Sequence, residues 1–192
     1  MPPKIKVTKE DVVTTAVELV RTGGAGAINA RAIAAALGCS TQPVFSNFAT
    51  MEELREATVK AAYDRYLNFL TRELENGIYP PYKSFGMAYV RFAKEEKELF
   101  HFLFLCDRQG EGMSYSPDFE ASVEMIMKAN GVTRETAERM HLEMWACVHG
   151  IGTMLATSFL TLEWDLISDM LTDIYQGIRT RNLTEEQKND CN

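Results

Sequence analysis

Three histidines and four cysteines are the side chains best suited to nucleophilic, acid–base or metal chemistry in this 192-residue chain. His141, Trp145 and His149 follow at intervals of four, so each turns about 40° from the last along a helix and all three share a face. A metal would need i, i+4 His pairs or additional Cys or carboxylates nearby, whereas Cys147 and His149, two apart, diverge. The cysteines Cys39, Cys106, Cys147 and Cys191 show no paired spacing and are expected to be reduced thiols. No glycine-rich phosphate loop follows a strand, and no Ser/His/Asp set has a recognisable context. Neither a catalytic set, a metal site nor a cofactor is therefore expected.

A different chemistry is offered by Thr41, Gln42, Pro43, Ser46 and Asn47. Small hydroxyls and amides hydrogen-bond base edges or phosphate oxygens, and glutamine is shaped for a bidentate pair with adenine. These residues lie on the open side of a short predicted helix whose Val44 and Phe48, four apart, point inward. The bland alternative is a solvated polar face on an ordinary helical hairpin.

The elements that must carry that face can be read around it. Thr8 caps a first helix, with Asp11 at the capping-box position and Val12, Val13, Ala16, Val17 and Val20 as its buried stripe. GGAGA connects it to a second helix capped by Asn29, with Ile33, Ala34 and Leu37 facing inward. Gly38 supplies the left-handed residue at its end, and Gly38, Cys39 and Ser40 form the turn. Ser40 is expected to cap the third helix, with Pro43 in its first turn, where a missing N–H costs no bond. A helix, a three-residue turn containing glycine, and a second helix match the helix-turn-helix connection.

Beyond this the whole chain reads as helical, about nine helices in all. Thr50 and Glu53 form a capping box for a fourth helix running to about Asn76, with Leu54, Thr58, Ala61, Ala62, Tyr66, Phe69 and Leu70 as its apolar face. Gly77 and Pro80-Pro81 break the chain. A fifth helix ends near Lys94, and the apolar run 99–106, LFHFLFLC, is assigned to helix because no second strand candidate accompanies it. Asp107 to Asp118 is expected to be a loop, and a helix follows from Pro117 to Asn130. The last two helices start at Thr133 and Thr161 and reach about Phe159 and Arg181.

The balance of 46% hydrophobic and 24% charged residues is that of a soluble globular protein. No apolar run approaches the roughly 20 residues that span a bilayer, and the N-terminus lacks the apolar stretch of a secretory signal. A cytoplasmic location with no membrane partner is expected. The net charge of −7 is uneven: residues 1–50 carry +2, which leaves −9 for the remainder. Only the N-terminal segment suits an approach to phosphates.

The N-terminal segment resembles the TetR family of transcriptional regulators over about residues 8–58. The family's cap residue, basic residue, Ile-Ala pair, glycine, aromatic pair and Lys-Glu-Leu-like helix start are matched by Asn29, Arg31, Ile33-Ala34, Gly38, Phe45 with Phe48, and Met51-Glu52-Glu53-Leu54. The chain departs from the pattern at Phe45, where the family usually has tyrosine, and at Met51, where it has lysine. A phosphate-binding hydroxyl and ammonium are thereby missing, which predicts a weaker or less salt-dependent contact with the DNA backbone. The resemblance implies an all-α dimer: a helix-turn-helix head at residues 1–50 and an effector-binding, dimerising helical body at 51–192. Two heads would bind a palindromic double-stranded operator, and a small-molecule effector would release them. Operator contacts are expected from Lys6, Thr8, Asn29, Arg31, Thr41, Gln42, Pro43, Phe45, Ser46 and Asn47.

Two further groups follow. An effector pocket is expected among Phe85, Tyr89, Phe92, Phe100, Phe104, His141, Met144, Trp145 and His149, since small-molecule sites are mostly apolar with a few polar groups; for any single one of them plain core is the favoured role. A homodimer interface is expected from Gly152 and Ala156 in the eighth helix and from Leu166, Met170, Ile174 and Ile178 in the ninth, with packing inside the subunit as the alternative. Repression by such a dimer is the expected function. A ligand-binding dimer without specific DNA affinity is the alternative, and activation a more distant one.

Overall fold

A computed structural model describes residues 7–106 and 117–189, with side chains placed through Leu183. The described residues form nine α-helices and no strand: α1 (Lys9–Gly23), α2 (Ala30–Ala36), α3 (Gln42–Asn47), α4 (Met51–Asn76), α5 (Pro81–Glu95), α6 (Lys97–Phe104), α7 (Pro117–Asn130), α8 (Arg134–Ala156) and α9 (Trp164–Asn189), with one 3₁₀ turn at Ala25–Ala27. The all-α class and helix number agree with the sequence. Lys6 and the body of the expected loop after Cys106 lie outside the described residues.

The chain forms two compact units. Among the described residues the first holds 7–68 with 95–106, the second 69–94 with 117–189. The N-terminal unit is thus larger than residues 1–50, because α6 returns to pack on α1 and the first part of α4 closes the core. Val12, Ala16, Ile33, Val44, Phe48 and Leu54 make that core, taking residues from each of α1 to α4.

Local chemistry starts and stops these helices largely where expected. The Thr8 hydroxyl accepts from the Asp11 N–H at 3.1 Å while the Asp11 carboxylate accepts from the Thr8 N–H at 2.8 Å, a complete capping box. The Asn29 side chain accepts from the Ala32 N–H at 2.9 Å. Gly38 has φ +63°, a conformation that costs other residues Cβ contacts, and the Cys39 N–H closes the end of α2 on the Ala34 carbonyl at 2.9 Å. Three expectations change. Thr41, not Ser40, precedes α3, and its side chain makes no capping bond. Glu53 accepts from the Ala49 N–H rather than that of Thr50, although the Thr50 hydroxyl does accept from the Glu53 N–H. Finally, α8 stops at Ala156, with Ser158 at φ +57°, and α9 starts at Trp164 and continues past Arg181.

In the second unit α7, α8 and α9 pack around Phe119, Val123, Ile126, Val132, Ala137 and Met140. Gly86 lets α5 pass close by: a Cβ there would meet Leu171 Cδ1 at 3.3 Å and Val148 Cγ2 at 3.5 Å. No helix among the described residues is long and apolar enough to cross a membrane.

Candidate functional site

In the N-terminal unit the helix-turn-helix presents its outer side through α2 and α3. Val44 and Phe48 are buried as expected. Arg31 and Gln42 are exposed, and their side chains have no hydrogen-bond or ion-pair partner among the described residues. Phe45 is 53% exposed. Thr41 and Pro43 are half-buried beside them.

Several residues expected to face DNA hydrogen-bond within the protein: Asn47 is half-buried, while Thr8, Asn29 and Ser46 stay exposed. The Asn47 amide donates to the Pro43 carbonyl at 2.8 Å and to the Val7 carbonyl at 3.3 Å, tying α3 to the segment before α1. The Ser46 hydroxyl donates to the Gln42 carbonyl at 2.9 Å. Such back-bonding is the ordinary recourse of short polar side chains in helices. Thr8 donates its hydroxyl to Asp11 at 2.7 Å, and Asn29 is occupied by its cap. The side chains free to read are therefore fewer and less polar than composition suggests.

Lys9 is a cation the sequence reading passed over. Its Nζ lies 4.5 Å from the centroid of the Phe48 ring and 3.0 Å from Glu53 Oε1. The signal for it was present, since a lysine in the first turn of α1 opposes the favourable dipole and needs another reason to be there.

A second ionic group organises the same unit. The Glu96 carboxylate is 5% exposed and accepts from Arg21 Nε at 2.6 Å and from Arg65 Nη2 at 2.7 Å. Glu18 contacts both arginines from the other side, at 3.4 and 3.3 Å. The network joins α1, α4 and the residue that precedes α6. Its hydrogen bonds and charge hold the Arg21 guanidinium above its ordinary range.

The expected effector residues do not form one set. Phe100 and Phe104 belong to the N-terminal unit, where Phe104 meets Tyr66 edge-on at 5.5 Å. In the second unit Tyr89 and His149 meet, the phenolic oxygen 2.8 Å from Nδ1, and Trp145 stacks on His149 at 4.8 Å. His141 has a separate partner, Tyr82, with its oxygen 3.0 Å from Nδ1, and Phe119 edge-on at 5.4 Å. The two tyrosines are seven apart on α5 and the histidines eight apart on α8, so two parallel helices carry two rungs. Burial pushes His141 below the ordinary histidine range, opposed by the charge of Asp118, and burial with Tyr175 nearby drives the Tyr82 phenol well up. Phe92 packs edge-on against Phe69 at 5.3 Å, Met144 is buried and Phe85 is half-buried. Sequence reasoning missed Tyr82, because helical spacing groups its partner His141 with His149.

The buried Glu73 pairs one carboxylate oxygen with Arg91, while its Oε2 is buried with no hydrogen-bond partner among the described residues. A buried carboxylate oxygen without a donor is costly. No cluster of three or more His, Cys, Asp or Glu residues suited to a metal occurs among the described residues.

Of the expected interface residues, Gly152 and Ala156 are buried within the chain and Ile178 packs against the Phe119 cluster. Leu166 is exposed, and Met170 and Ile174 are half-buried. The exposed apolar positions of α8 are instead Leu142 and Ala146, with the half-buried Gly150 one turn further on, where a Cβ would meet nothing within 4 Å. Phe159 and Leu160, just past α8, are also exposed. Residues 144–162 contain no Asp, Glu, Lys or Arg.

No protein-family model matches this chain, and no curated protein matches it. Among solved structures, a protein with unknown function from Rhodococcus sp. RHA1 is similar in fold, with a TM-score of 0.71 over 94% of this chain and 98% of its own, at 18% sequence identity.

Proposed function

We propose that the protein is a dimeric, ligand-responsive regulator of transcription, in its simplest form a repressor, whose α2–α3 unit binds palindromic operator DNA. The observation that carries this reading is the α2–turn–α3 arrangement itself. It buries Ile33, Val44 and Phe48 in one core and leaves Arg31, Gln42 and Phe45 outward, as a helix entering the major groove requires. The TetR-like pattern of residues 8–58 supports it. The uncharged, partly exposed stretch 144–162 supports a second copy as partner, because solvated helices ordinarily carry charge on their outer face.

Effector binding belongs to the second unit. Glu73 Oε2 is suited to accept from an N–H or O–H of a small molecule, and the Tyr89–His149–Trp145 group offers aromatic surface. An effector that binds better to a non-operator conformation lowers DNA affinity, and operator DNA lowers effector affinity by the same factor.

One observation favours a second reading, a ligand-binding dimer without specific DNA affinity. Acidic side chains outnumber basic ones in residues 7–68 with 95–106, and Arg21 and Arg65 are engaged by Glu96. Binding of the apo protein to DNA from upstream of its own gene, measured across salt concentrations, separates the two. A sequence-preferring, salt-sensitive complex is expected. Failure to form one at any salt concentration would leave the ligand-binding reading.

A further inference from the structure

Phe45 stands out on α3. It is a large apolar side chain, 53% exposed, one turn from Gln42 and on the same outer side. Scattered exposed hydrophobics are common and need no explanation by themselves. Here, however, the two polar neighbours commit their donors to backbone carbonyls: the exposed Ser46 to Gln42 O, and the half-buried Asn47 to Pro43 O and Val7 O. What the helix shows outward is the Gln42 amide, the Phe45 ring and the Ser46 hydroxyl oxygen, with the half-buried Pro43 beside them.

In the major groove the only apolar base feature is the C5-methyl of thymine, which cytosine lacks. A phenyl ring without a hydroxyl has no hydrogen bond to offer a phosphate, so its favourable partner is that methyl. Gln42, with acceptor and donor on one planar amide, complements adenine N6 and N7. The two residues together suit a stretch of A·T pairs. Resting on the operator-binding reading above, we propose that Phe45 is a specificity-determining residue that packs on a thymine methyl and selects thymine over cytosine at one position of each half-site.

The test uses the full-length protein and a duplex it selects from a randomised library. Each thymine is replaced singly by deoxyuridine, which removes only the methyl group, in both half-sites together. At one symmetric position, wild-type binding should weaken about fourfold per half-site, the worth of one buried methyl. Phe45→Ala should bind the thymine duplex correspondingly more weakly and be indifferent to deoxyuridine there, while Phe45→Leu should retain part of the discrimination. Because Phe45 is outside the core formed by Val44 and Phe48, both variants should keep the wild-type thermal midpoint. Equal sensitivity to deoxyuridine in wild type and Phe45→Ala overturns the proposal, as does a wild-type protein insensitive to every replacement, with operator binding left standing in both cases. A library from which no sequence is enriched overturns operator binding and this proposal together.

Discussion

Arg65 Nη2 donates to Glu96 Oε1 at 2.7 Å, joining the middle of α4 to the residue that opens α6. The carboxylate is buried and its two arginines are not: Arg21 and Arg65 keep 42% and 34% of their side-chain surface exposed. That asymmetry predicts unequal losses. Glu96→Gln leaves two arginines that water can solvate and should cost about 1–2 kcal/mol. Removing both arginines strands a buried charge and should cost about 3 kcal/mol or more. Urea unfolding of Glu96→Gln and of the Arg21→Ala/Arg65→Ala pair measures both, and equal losses would show that the carboxylate is better solvated than its burial indicates.

His141 should make stability fall with acidity. Burial holds it neutral in the folded protein below its ordinary pKa, whereas in the unfolded chain it protonates near pH 6.5. Below that pH the unfolded state binds the extra proton and gains, so this contribution is complete above about pH 6.5 and is lost as pH falls toward the folded value. The slope should reach at most about 1.4 kcal/mol per pH unit. In His141→Gln, which retains an acceptor for Tyr82, this part of the slope should vanish. Denaturant midpoints between pH 7.5 and 5 provide the measurement.

Gly150→Arg tests the α8 face. A Cβ at 150 meets nothing within 4 Å in the chain, and leaving glycine in a helix interior improves helix propensity by up to about 1 kcal/mol. The folded subunit should therefore survive. If a second copy covers the face, the variant should sediment as a monomer while the wild type sediments as a dimer. An unchanged mass would assign dimer contacts elsewhere.

Gln42→Ala addresses readout. A bidentate base contact predicts a loss of roughly 1–3 kcal/mol on the selected site and little on random DNA. Competition binding on both duplexes gives the comparison. Equal losses would make Gln42 a backbone contact.

Much of the architecture is determined locally and is legible in the chain. The caps at Thr8, Asn29 and Thr133, the left-handed glycine at 38 and the apolar spacing of Val12, Ala16, Val44 and Phe48 follow from rules that act within a few residues, and each occurs in the structure. Tertiary packing decided what side chains do once the helices are in place. Two histidines on one helix face acquired different tyrosines because α5 runs alongside with its own seven-residue spacing. Phe100 and Phe104 joined the N-terminal unit because α6 folds back onto α1. Ser46 and Asn47 carry groups able to read bases; their bonds to Gln42 O and Pro43 O are local, one helical turn back, and only the Asn47 bond to Val7 O was made by tertiary packing. Residue type set what each of these side chains is able to do; for all but Ser46, neighbours brought from elsewhere in the chain determined which of those options it took.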